Sequence, residues 1–175
     1  GKDLSTLLGL SAQWGNVYFG YYTSFIFSPP GNIFLGRCLI FFSYFLSALF
    51  LYEVLSGIVE IDPSSRFILV LLFEIFPVNN TRIALCCSFM AIGYVLFFFG
   101  LWLVYRFLSK KSILLRLLAL IIFFISFSIL NSLIVFYALV PMYFLYIGRG
   151  QILFSVNFFK TLKKYMDFIL LPIFF

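Results

Sequence analysis

Two long stretches of this chain carry no charge at all: residues 83–105, which is 23 residues, and residues 117–148, which is 32. A helix of about 20 apolar residues crosses the roughly 30 Å hydrocarbon core of a bilayer. In lipid such a helix satisfies its own backbone hydrogen bonds, whereas an open loop cannot. The whole chain agrees with its two runs. Only 10% of its residues are charged, 64% are hydrophobic and the mean hydropathy is +1.14. A soluble domain carries about a quarter charged residues. The expectation is an all-α, polytopic transmembrane helix bundle forming one membrane domain over residues 1–175.

Four spans are predicted, at residues 37–57, 82–106, 112–137 and 140–159. Residues 4–14 read as the end of a further, partial span. Residues 15–36 read as interfacial, being rich in Tyr and Phe and interrupted by Pro29-Pro30-Gly31. Residues 160–175 read as a basic flank and the start of another apolar segment. Residues 67–76 are too short to cross and are expected at the interface or against the bundle. Pro63-Ser64-Ser65 reads as a turn, and the knot Pro77-Val78-Asn79-Asn80-Thr81-Arg82 as a surface turn in which Thr81 caps the next helix. The start Gly1-Lys2-Asp3 does not resemble a signal peptide.

The charges predict sidedness. Arg37, the turn holding Arg106, Lys110, Lys111 and Arg116, and the end holding Lys160, Lys163 and Lys164 are expected on one side of the membrane. The connection holding Glu53, Glu60, Asp62 and Glu74 is expected on the other, in keeping with the excess of Lys and Arg in cytoplasmic or matrix loops. The net charge of +6 is then a topology signal, and no basic face for nucleic acid is expected.

The residue inventory narrows the chemistry. There is no His and no spaced Cys pair; Cys86 and Cys87 are adjacent and Cys38 lies in an apolar run. Haem and copper sites in membrane subunits usually use imidazole, so no metal site is expected. Intramembrane proton carriers are usually carboxylates or histidines, and the predicted spans hold almost none. No Gly-rich phosphate loop and no nucleophile–base pair occurs, so no catalytic centre is expected on this chain. Arg149, in Gly148-Arg149-Gly150-Gln151, falls about 15 Å of helix from Lys160, near the middle of the fourth predicted span. It is a candidate intramembrane charge or partner contact, set against a helix break at its two flanking glycines. Lys160, Lys163 and Lys164 share one helical face and are candidates for an anionic lipid headgroup, set against an ordinary basic flank. Trp14 reads as an interfacial anchor. Asn131, Ser132, Ser43 and Ser47 read as polar contacts between helices.

Two motifs resemble cytochrome c oxidase subunit III, the mitochondrially encoded core subunit. That family has a Pro-Leu-Leu-Asn-Thr turn leading into a helix, as Pro77-Val78-Asn79-Asn80-Thr81 leads into Ile83-Ala84-Leu85-Cys86-Cys87-Ser88. It has a Gln-Trp-Trp at the end of its second helix, matched by Gln13-Trp14, with Ser28-Pro29-Pro30-Gly31-Asn32 and Leu39-Ile40-Phe41-Phe42 at similar spacing after it. Leu7-Leu8-Gly9-Leu10 resembles that helix end, and Arg149-Gly150-Gln151-Ile152 falls near the family's sixth-helix His-Gly-x-His. Residues 4–164 then correspond to the end of helix two through helix six, the first, most of the second and the seventh lying outside this chain. The chain departs from the family at Tyr44–Ser47, which hold no glutamate, at Gly15 in place of the second Trp, and at the helix-six histidines.

The resemblance implies a non-catalytic core membrane subunit of the mitochondrial terminal oxidase, multi-pass in the inner membrane. It would be an obligate hetero-oligomer packed beside the catalytic subunit I and other oxidase subunits. Phospholipid would be bound with Trp14 as a contact, and haem and copper would sit only on partner subunits. The abundance of Phe and Tyr, 27 and 11 residues, suits AT-rich organelle coding. The alternatives are a membrane-arm subunit of complex I, an ATP synthase a-subunit using Arg149, and a small transporter.

Overall fold

The computed structural model describes residues 33–57, 61–75, 88–130, 132–138, 140 and 163–174, and all of its elements are helical. They fall into two units, one ending at Leu130 and one beginning at Asn131.

The first unit holds four helices: α1 (Ile33–Ser56), α2 (Pro63–Ile75), α3 (Ser88–Lys110) and α4 (Ile113–Ile129). Helix α1 and the Met90–Lys110 part of α3 are long and apolar enough to cross a membrane. Helix α4 has 17 residues, about 25 Å of rise, and falls short of that length.

Helix α3 lies at the centre, packed on α1 along one side and on α4 along the other. Its buried positions Gly93, Phe97, Gly100, Val104 and Phe107 alternate steps of four and three residues. That period keeps one seam facing a partner helix. Helix α4 answers with Ala119, Phe123 and Ser126 at the same steps, running antiparallel, so that Phe97 meets Phe123 at 5.7 Å. The α3–α4 turn is tight. Lys111 adopts φ 51°, the left-handed conformation that lets the chain reverse, while its N–H bonds the Phe107 carbonyl at 2.7 Å. Extended Ser112 then opens α4.

Helix α2 begins differently from the sequence expectation. Pro63-Ser64-Ser65 is not a turn but the first turn of a helix. Asp62 caps it, accepting from the backbone N–H groups of Ser64 and Ser65 at 3.1 Å each. Proline in the first helical position loses no hydrogen bond, because that N–H has no intrahelical partner anyway. The helix runs back along α1, carrying Phe73 to Tyr44 at 6.5 Å.

This return leg corrects the predicted sidedness. Because α2 doubles back, α1 and α3 run parallel: Tyr44 pairs with Tyr94, Phe50 with Phe99 and Trp102, and Glu53 with Arg106. Glu53 and Asp62 therefore lie at the same end as the basic α3–α4 turn, not opposite it. Reading α2 as a surface segment inverts the direction of α3 and α4.

The third predicted span, 112–137, is also not one helix. Helix α4 stops at Ile129, and Leu130 leaves the helical region at φ −143°, ψ 88°. The sequence there is Ser126-Phe127-Ser128-Ile129-Leu130-Asn131-Ser132, and such side chains offer the backbone alternative partners. The Ser128 hydroxyl already bonds back to the Phe124 carbonyl at 2.9 Å.

In the second unit, α5 (Leu133–Tyr137) and α6 (Met166–Leu170), followed by a 3₁₀ turn (Leu171–Phe174), are joined by one buried bond. The Tyr137 hydroxyl donates to the Phe168 carbonyl at 2.8 Å, and both side chains are fully buried. The fourth predicted span, 140–159, lies outside the described residues apart from Val140, as do the segments 4–14 and 15–32, Thr81 and the knot around it.

Candidate functional site

The surface of α1 has the reverse of a soluble helix's polarity. Its buried side holds Gly36, Ile40, Ser43, Tyr44 and Ser47. Its outward side holds Phe34, Phe41, Phe42, Phe45, Leu46 and Leu49, with Phe34 72% exposed. In water the large rings would be driven inward. Between helices in lipid there is no such drive, and small residues let backbones approach while hydroxyls find partners in the helix. The Ser47 hydroxyl does this, donating to the Ser43 carbonyl at 2.7 Å. Helix α4 likewise turns Ile113, Leu114, Leu117, Ile121 and Phe124 outward.

Inside the first unit, rings form a continuous path. Phe73 of α2 lies 4.9 Å from Phe98, Phe98 lies 5.6 Å from Phe97, and Phe97 leads to Phe123 and Phe127 on α4. Edge-to-face and offset pairs of this kind contribute about 0.5–1.5 kcal/mol each beyond their buried area. Where α4 meets α3, the Ser126 hydroxyl donates to the Gly93 carbonyl at 3.0 Å, a bond across 33 residues. It is possible because Gly93 has no side chain between the helices.

The end of the first unit that holds the α3–α4 turn is polar. The Arg106 guanidinium lies 5.1 Å over the Trp102 ring and 3.7 Å from the Glu53 carboxylate. Arg116 lies 5.9 Å over Phe107, and Lys110 and Lys111 are exposed. Asp62 is held below the usual carboxylate range, first by the Ser65 hydroxyl at 2.5 Å and then by the backbone N–H groups it caps.

Of the residues singled out from the sequence, Lys163 and Lys164 are exposed just before α6, with the Lys164 ammonium 5.4 Å from the Tyr165 ring. Lys160, Arg149 and Trp14 lie outside the described residues. Ser43 and Ser47 are buried, but the Ser47 hydroxyl bonds to the Ser43 carbonyl of its own helix, not across to another helix as expected from the sequence. Sequence reasoning missed the Trp102–Arg106–Glu53 group. The i, i+4 spacing of Trp102 and Arg106 was a usable signal, but the pairing with Glu53 depends on the direction of α2. No family model, curated protein or solved structure matches the chain.

Proposed function

We propose that this chain is a membrane-embedded helical subunit that acts by packing against partners and holding lipid, without a reaction centre of its own. One observation carries the reading: α1 buries glycine and serine and turns phenylalanine and leucine outward. A surface of that size and composition must be covered by acyl chains or partner helices. The lack of His across the whole sequence agrees with a role in which metals belong to other chains.

The assembly we infer is the mitochondrial terminal oxidase, cytochrome c oxidase, in the inner membrane, with this chain as a non-catalytic subunit beside catalytic subunit I. Its support is the resemblance of Pro77–Ser88 and Gln13-Trp14 to subunit III. The helix directions do not add to it. That resemblance makes α1 and α3 consecutive spans, hence antiparallel, whereas they run parallel with α2 between them. Purifying the chain from its native membranes tests both levels. Resistance to alkaline carbonate extraction is expected, together with stoichiometric co-purification with haem and copper. Extraction as a soluble protein would end the membrane reading. Co-purification with a rotary ATPase would end the oxidase assignment and turn attention to Arg149.

A further inference from the structure

We propose that the α3–α4 turn is a binding site for the headgroup of an anionic phospholipid. This rests on the membrane reading above and adds a site that the lysines at 160–164 do not explain. Arg106, Lys110, Lys111 and Arg116 fall within eleven residues, and the hairpin gathers them at one end of the first unit. The two arginines are positioned by rings, Arg106 over Trp102 at 5.1 Å and Arg116 over Phe107 at 5.9 Å. Contact of this kind helps hold a guanidinium in place, and at Arg106 it leaves edge N–H groups for an oxyanion.

Among the described residues, the acids at this end do not neutralise Arg106, Lys110 and Lys111. Glu53 reaches Arg106 only at 3.7 Å, with both side chains about half exposed, and the buried Nε of Arg106 has no hydrogen-bond partner. Exposed pairs of this kind hold weakly and leave the cation available. Asp62, the other described carboxylate at this end, is taken up by Ser64 and Ser65. Lys110 and Lys111 are exposed.

The neighbouring surface selects a lipid over a free anion. Ile113 and Leu114 follow the turn immediately and are 73% and 72% exposed, and Leu117 and Ile121 continue the same apolar face. A phosphodiester at the cations would lay its acyl chains along that face, whereas inorganic phosphate would gain nothing from it. Trp102, Tyr105 and Tyr52 stand at the same end, the level at which aromatic side chains meet headgroups.

The test uses the full chain with Trp14→Phe, which leaves Trp102 as the sole tryptophan of the two. It is reconstituted in vesicles doped with either a brominated anionic or a brominated neutral phospholipid. Bromine quenches Trp102 only in contact, so the ratio of the two quenching curves reports headgroup preference. The expected result is stronger quenching by the anionic lipid, unaffected by millimolar inorganic phosphate. In Lys110→Gln/Lys111→Gly the preference should fall by at least roughly fivefold, the weight of one basic residue at an anionic surface. Both changed side chains are exposed, and glycine relieves the left-handed backbone at Lys111, so folding is preserved. Equal quenching by the two lipids, an unchanged preference in the variant, or its loss on adding phosphate would overturn the site while leaving the membrane reading intact. Absence of quenching by either lipid would overturn both.

Discussion

Gly100 has no room for a side chain, because a methyl group there would stand 2.9 Å from the Phe123 ring. That ring is fully buried, edge-to-face with Phe97 and stacked on Phe127, and has nowhere to swing. Overpacking a tight core destabilises by about 1–3 kcal/mol, while alanine regains about 1 kcal/mol of helix propensity. Gly100→Ala is therefore expected to lose a small net amount of stability in a detergent unfolding titration, and Gly100→Leu far more. Pairing Gly100→Ala with Phe123→Leu should recover part of the loss, with a coupling of about 0.5–3 kcal/mol. Strict additivity would mean that the two residues do not meet. Asp62 gives a second test at this scale. Its folded carboxyl titrates below the ordinary value of 3.8, so its contribution is present above that pH and is lost as pH falls through the lower, folded value. Asparagine keeps the cap but not the charge. The wild-type chain should be more stable than Asp62→Asn at pH 7, and the gap should close as pH falls below about 3.8. A gap that widens in acid would contradict the assigned bonding.

Helices α3 and α4 form the best-defined pair, and their contact is specified by small residues as much as by rings. The Ser126–Gly93 bond crosses that contact at 3.0 Å, whereas the Ser128 hydroxyl bonds within its own helix and is exposed. Hydrogen bonds between helices in membrane proteins average about 0.6 kcal/mol. Ser126→Ala should lose about that much in the same titration, and Ser128→Ala essentially nothing; equal losses would show that the interhelical bond is not formed. Much of this pair was legible in the sequence. The charge-free run of 83–105, the basic turn and the apolar run after it point to a helical hairpin without further help. The end of α4 was not legible, because unbroken hydrophobicity outvoted the serines at 126 and 128. The start of α2 was misread for a different reason. Asp62-Pro63-Ser64-Ser65 carries both a turn signature and a cap-then-proline helix start, and only the capping geometry separates them. The candidate lipid site was half visible: its cations stand together in sequence, but the Glu53 that faces Arg106 comes from a helix whose direction local patterns do not encode.

At the scale of the whole first unit, the direction of α3 relative to α1 decides which charges share a membrane face. A 24-residue helix is about 36 Å long, so Arg37 and Glu53 stand near opposite ends of α1. If α2 were a surface segment, α3 would run antiparallel to α1 and Arg106 would end beside Arg37. With α2 as a return leg, Arg106 ends beside Glu53, and the basic turn joins the Asp62 corner. Proximity distinguishes the two arrangements. In a background with Cys38, Cys86 and Cys87 replaced by serine, Glu53→Cys paired with Arg106→Cys should be bridged efficiently by a short bis-maleimide. Arg37→Cys paired with Arg106→Cys should not, being separated by most of the length of a helix. In sealed vesicles, a membrane-impermeant maleimide should label Glu53→Cys and Lys111→Cys from the same side and Arg37→Cys from the other. The reverse pattern would restore the antiparallel order that a subunit III-like chain requires. It would also leave the headgroup site without its Glu53 neighbour, so one set of cysteine pairs discriminates the helix order, the membrane sidedness and the family assignment together.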